Sequence, residues 1–361
     1  MNLSQKDCDA MKGFSILCIV LHNILHCVYT QENEFTFNIA NFLELKSFIV
    51  INSETIFSYI SFWGWYGVPV FIFLSGYGLS QKYASATSAP ISGGKFLLAH
   101  FLKLWCLLMP AYTVYLIIMA SNGSTIWIRP ALAQSTMLIN LLYSPTVIKP
   151  GVYWYFGLTL QLYAIYYWFC HKKNILYPTI LAIMSIALMS VLIGIKGGDS
   201  LYLSYVRHNC VGWFMPFVMG IMYSRYAKNI PKRFIFSMLT GSCLLLGVLL
   251  LWYCNYNVYT WLLTPLFSVI VIATIIKLLF IYVHFLYECF TWLGHISSFL
   301  FVVHPLIREL VLTMDDTSIS LSSLSLYLTL SIIFSIIYKP IYTSMYGRIN
   351  ELTNRILYRP K

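Results

Sequence analysis

Ten apolar runs, each about as long as a bilayer is thick when helical, divide this chain: residues 14–29, 59–79, 101–120, 152–170, 175–193, 210–226, 234–253, 261–282, 290–312 and 321–341. A helix rises about 1.5 Å per residue, so roughly 20 apolar residues cross the hydrocarbon. Inside lipid every backbone N–H and C=O needs a partner, and a helix supplies all of them within one run. A closed barrel also does so, but its strands alternate polar and apolar residues and give no long apolar runs. Composition agrees: of 361 residues, 59% are hydrophobic and 10% charged, and mean hydropathy is +0.73. A soluble domain carries roughly 25% charged residues. A soluble enzyme, a disordered chain and a disulfide-stapled secreted module are thereby excluded. The expected fold class is an all-α polytopic membrane protein with about ten transmembrane helices. Residues 131–143 are too short and polar to span and read as an outer, interfacial helix.

The net charge of +11 would suggest nucleic acid in a soluble protein. Here its placement gives the orientation instead. With the N-terminus inside and the runs alternating, 17 of the Lys and Arg residues fall inside and 6 outside. Glu32, Glu34, Glu44, Glu54, Asp199, Glu309, Asp315 and Asp316 fall outside, against four acids inside. Both termini are therefore expected in the cytoplasm, with residues 1–346 as one transmembrane domain and the basic residues 347–361 as a cytoplasmic tail. The first run lacks a small-x-small cleavage site after it, so it reads as a span rather than a leader. The nine Cys stand singly and read as packing residues.

Ionisable groups at bilayer depth are costly, which makes each one a functional candidate. His22 lies eight residues into the first run, roughly 12 Å along it, and His26 follows one turn later on the same face. His304 lies inside the ninth run, ahead of Pro305, which is expected to kink the helix. Each His is either a base in a reaction or a neutral ring bonding a neighbouring helix. His22-x-x-x-His26 has zinc-ligand spacing, but Asn23 stands where zincins need Glu, and no metal site is expected. No glycine loop of the phosphate-cradling kind is present. At the inner surface, Asp9 and Lys12 flank the first run, and His100 and Lys103 open the third at i, i+3 on one helix face. Two cations so placed suit a phosphate or pyrophosphate, or they snorkel to anionic lipid.

At these residues the chain resembles the acyltransferase-3 membrane proteins, which O-acylate bacterial surface polysaccharides. Asp9-Ala10-Met11-Lys12-Gly13-Phe14, running to His22, is similar to that family's Asp-x-x-Arg-Gly opening and membrane His. Phe71-Ile72-Phe73-Leu74-Ser75-Gly76-Tyr77 is similar to its aromatic Ser-Gly signature. Tyr153-Trp154-Tyr155-Phe156-Gly157-Leu158 resembles its Trp-Phe segment. Leu293-Gly294-His295-Ile296-Ser297 and Phe301-Val302-Val303-His304 resemble its late Gly-x-x-Ser and Tyr-Leu-x-His pattern. Two departures are visible. Lys12 replaces the family's Arg, and His100-x-x-Lys103 stands for its Arg-x-x-Arg, although Arg and Lys differ at bidentate phosphate sites.

The resemblance implies an O-acyltransferase of the inner (plasma) membrane, of the type without an added extracytoplasmic hydrolase domain. It implies cytoplasmic acyl-CoA, most simply acetyl-CoA, as donor substrate, a cell-surface or lipid-linked glycan as acceptor, no permanently bound cofactor, and contact with membrane lipid but not nucleic acid. It makes His22 catalytic, as a general base or as a carrier of the acyl group. It makes Asp9, Lys12, His100 and Lys103 the donor site. Ser75, Gly76, Trp154 and His304 are further candidates, with Trp154 either stacking on a substrate or belonging to an interfacial aromatic belt. The competing expectation is a transporter or flippase of a lipid-linked sugar or small solute. It calls for broken helices at corresponding places in two repeats, and no repeat is visible.

Overall fold

A computed structural model describes residues 3–29, 32–48, 52–83, 92–171, 173–227, 238–312 and 318–357. Lys172, Lys228, Lys232, Arg233, Asp315, Asp316, Arg359 and Lys361, which contribute to the charge split, lie outside the described residues, as does the start of the seventh run. The described residues are helical throughout, with no strand. In chain order the helices are α1 Gln5–Leu25, α2 Ile39–Ser47, α3 Ser53–Gly64, α4 Gly67–Tyr83, α5 Gly93–Ser121, α6 Ile128–Ser135, α7 Ile139–Leu142, α8 Trp154–Ile165, α9 Leu176–Lys196, α10 Leu201–Arg207, α11 Phe214–Tyr226, α12 Met238–Cys254, α13 Val258–Trp261, α14 Thr264–Tyr282, α15 His284–Val311 and α16 Leu321–Leu357.

Among the described residues each apolar run coincides with a helix, and seven spans are long and apolar enough to cross a membrane, with α3 and α4 together forming one of them. This is an all-α, multi-pass membrane protein. The runs at α8, α11 and α12 form shorter helices; α8 passes into a π turn at Tyr166–Cys170. The 131–143 stretch is two short helices, α6 and α7, separated at Met137, whose φ is +60°. α15 runs through Pro305 as one helix, and α16 continues through Pro340 into the basic tail as far as Leu357.

The helix ends follow local chemistry. Ser4 caps α1: its hydroxyl accepts from the Asp7 N–H while the Asp7 carboxylate accepts from the Ser4 N–H. This box starts α1 at Gln5, nine residues before the apolar run, and the helix ends at Leu25, before the run does, so His22 falls in the last turn of the helix rather than about halfway along. Asn38, Asn52, Ser92, Ser200 and Asn257 cap α2, α3, α5, α10 and α13 in the same manner.

The chain forms two compact units, residues 1–85 with 170–297 and residues 86–169 with 298–361. In the first, α4 packs on α11 and α14, and α1 packs on α3, α4 and α14. Its core joins Ala10 and Met11 of α1, Val70, Phe73 and Leu74 of α4, and Val269, Ile272 and Ile276 of α14. Glycines set the closeness. A methyl at Gly64 or Gly67 would overlap the Cys18 or Ser15 carbonyl of α1, and one at Gly76 or Gly220 would overlap the Phe217 or Phe73 carbonyl. In the second unit α5 packs on α8 and α16, and the Tyr338 hydroxyl donates to the Leu107 carbonyl across 2.7 Å.

Candidate active site

In the first unit α1 carries an ionic cluster near its start and a histidine near its end. Lys12 Nζ lies 2.9 Å from Asp9 Oδ1, and His295 Nδ1 lies 3.7 Å from Asp9 Oδ2. Two residues earlier Asp7 receives Lys277 Nζ at 2.8 Å and the Tyr287 hydroxyl at 3.3 Å. Both carboxylates are buried, while Lys12 and His295 reach solvent. The crossing that assembles this set is backbone on backbone. A methyl at Gly13 would overlap the Phe290 carbonyl, and one at Gly294 would overlap the Asp9 carbonyl. The glycines that follow Lys12 and precede His295 therefore let α1 and the first half of α15 touch, and this contact brings Asp9 to His295. The expected Asp9–Lys12 pair is present; Asp7, Lys277, Tyr287 and His295 join it without having been singled out. Only His295 left a trace, beside Gly294 in a quoted motif.

His22 lies about 20 Å along α1 from Asp9. It is buried against α3, where Gly64 leaves room for its Cβ. Its Nδ1 lies 2.6 Å from the Ser61 carbonyl oxygen. A carbonyl only accepts, so Nδ1 carries the hydrogen and Nε2 holds a lone pair. Nε2 has no hydrogen-bond partner among the described residues. His26 stacks on the ring, with centroids 5.0 Å apart and planes at 27°, so the two rings lie face to face. Among the described residues no three His, Cys, Asp or Glu side chains group as metal ligands.

The other candidates separate. Gly76 serves the α4–α11 contact; Ser75 beside it is half-buried and has no hydrogen bond to a described residue. In the second unit His100 and Lys103 lie on one face of α5, but the His100 ring is already engaged. Its Nδ1 lies 2.8 Å from the Phe96 carbonyl, and its ring stands edge-on to Tyr163 at 4.7 Å. Lys103 is exposed. Trp154 begins α8, buried, with its carbonyl accepting from Asn140 Nδ2 at 2.8 Å. His304 is fully buried, its Nδ1 at 2.9 Å from the Leu300 carbonyl and its Nε2 without a partner among the described residues.

A second polar centre in the first unit had shown itself in the sequence only as an outer charge. Arg207 at the end of α10 is fully buried between two indoles, 4.7 Å from the Trp213 centroid and 4.4 Å from that of Trp261. Its Nε donates to the Glu34 carbonyl. Burial lowers its pKa to about 10 and raises that of buried Glu32 to about 8, against the pull of Asn41 and Arg207 on Glu32. His208, stacked on Phe35 at 3.6 Å, is lowered by burial to about 4.

A family model described as an acyltransferase domain, that of acyltransferase 3, matches residues 6–339. No curated protein and no solved structure matches the chain. The matched stretch takes in nine of the apolar runs and nearly all of the tenth and decides between enzyme and transporter: the chain belongs to the acyltransferase-3 family and is a multi-pass membrane O-acyltransferase.

Proposed function

We propose that the protein moves an acyl group, most simply acetyl, from cytoplasmic acyl-CoA to a hydroxyl of a cell-surface or lipid-linked glycan, at the inner (plasma) membrane. The observation that carries the reading is the tautomer of His22. With Nδ1–H held by Ser61, the lone pair of Nε2 is the one free to act. A sugar hydroxyl is a poor nucleophile at neutral pH and needs such a base. Nε2 takes the hydroxyl proton as that oxygen attacks the thioester carbonyl. The new C–O bond forms, the C–S bond breaks, and the imidazolium returns its proton to the departing CoA sulfur. The acyl-carrier alternative needs two transfers where this needs one.

The donor side rests on cations. Lys12, held by Asp9 in the first unit, and, taken separately, the α5 pair His100 and Lys103 in the second are each candidates to meet the phosphates of CoA, whose pantetheine arm is long enough to extend into a helix bundle. His304, with the same Nδ1-bonded geometry as His22, is the alternative base.

The test is His22→Ala in membranes, with expression matched by immunoblot and acetyl transfer from acetyl-CoA to glycan as readout. Loss of a general base typically costs about 10²–10⁴-fold. Activity above about a tenth of wild type makes His22 a packing residue and shifts the role to His304.

A further inference from the structure

The second unit holds a cavity of about 510 Å³ that the catalytic reading does not use. It opens between the last turns of α5, the 124–127 loop with the start of α6, and the 146–149 loop. Binding cavities for small ligands run to about 300–1,000 Å³. The floor is Tyr112 and Tyr115, three residues apart on one face of α5, with rings nearly parallel at 12° and centroids 6.4 Å apart. Both residues are 4% exposed, and neither hydroxyl has a hydrogen-bond partner among the described residues. Thr125, Thr146 and Lys149 also line it, as does Trp127, which is 63% exposed. Lys149 is in no ion pair among the described residues.

We infer that this cavity is the acceptor subsite and binds a sugar ring of the glycan; the inference rests on the acyl acceptor being a glycan. A pyranose has flat C–H faces that pack on aromatic rings and an equator of hydroxyls that both donate and accept. The cavity presents the matching set: aromatic surfaces, unpartnered phenol hydroxyls in the floor, two threonines and a cation. An acyl chain would leave those polar groups unpaired. The charge placement puts this end of α5 on the outer face, where a surface glycan is met.

The probe is the host cell's own surface glycan, de-O-acetylated with mild base and cut to oligosaccharides. The purified protein in detergent carries Ser124→Cys, a lining position outside the proposed contacts, and labelling there by a charged maleimide is read by peptide mass, since native cysteines also react. The glycan is expected to slow labelling at position 124, and phosphatidylglycerol is not. Tyr112→Phe with Tyr115→Phe keeps both rings and their packing but removes two hydrogen bonds. This pair should weaken glycan binding about tenfold by calorimetry. Unchanged labelling with glycan, protection by the phospholipid instead, or a double variant that binds as wild type does overturns the subsite. The two readings fail separately. Glycan protection without acetyl transfer leaves the subsite standing and sinks the transfer reaction. Transfer by the wild type without protection does the reverse.

Discussion

His22 Nδ1 lies 2.6 Å from the carbonyl oxygen of Ser61, and this contact decides which ring nitrogen is free. His22→Asn places an amide donor near Nδ1 and nothing at Nε2. It should therefore keep the anchor to α3 and lose transfer as fully as His22→Ala, about 10²–10⁴-fold. His26→Ala removes the stacked neighbour but not the Ser61-bonded ring and should cost much less. Acetyl transfer in membranes measures both, and an active His22→Asn enzyme would move the chemistry away from Nε2.

The cations of α5 make a separate prediction. His100→Ala and Lys103→Ala should each raise the acetyl-CoA requirement by about tenfold or more, since a charged contact to phosphate is worth roughly 1.5–3 kcal/mol. Lys103→Arg should be tolerated. His100→Ala should also lower the melting temperature, because its ring packs on Tyr163 and bonds the Phe96 carbonyl, and exposed Lys103 has less packing to lose. Normal acetyl-CoA binding by both Ala variants would make the pair a lipid anchor.

Gly13→Ala and Gly294→Ala should each destabilise the protein by about 1–3 kcal/mol or block its folding, because the added methyl meets backbone that cannot rotate away. Gly78→Ala, in α4 with open space around it, should be neutral or raise stability by about 0.5–1 kcal/mol through helix propensity. Thermal unfolding in detergent compares the three, and equal effects would refute the close crossing.

Glu32 gives a pH signature. Its carboxyl is raised by burial from 4.5 to about 8, so between those values the folded chain keeps a proton that the unfolded chain has released. Stability should fall as pH rises through that window and level off above it. His208, lowered to about 4 from 6.5, works in the opposite sense below pH 6.5, so the Glu32 slope is cleanest above that value. Glu32→Gln should flatten the melting-temperature profile there. Parallel profiles for the two proteins would show Glu32 already ionised beside Arg207.

Hydropathy made the helices legible because a bilayer imposes one length and one composition on whatever crosses it. Helix starts were less legible. The Ser4–Asp7 box set the beginning of α1, and the helix end at Leu25, short of the end of the run, put His22 in its last turn. The Asp9–Lys12 pair could be read from i, i+3 spacing, since both partners lie on one helix. Lys277 and His295 could not, because they reach α1 from 270 and 286 residues away and no local pattern encodes such a meeting. Arg207 was hidden for a related reason: α10 is too short to carry a periodicity, and Trp213 and Trp261 come to it from two different elements.

The Gly13–Gly294 contact bears on how this protein can change over generations. The spacing of α1 and α15 is set there by main chain against main chain, so the surrounding side chains are relieved of holding the helices together. A change between arginine and lysine at position 12 alters the shape of the cation held by Asp9 without altering where that cation is mounted. Substrate preference can thus drift through the charged positions while the two glycines stay fixed, and family members that differ most in their cations should still share this pair.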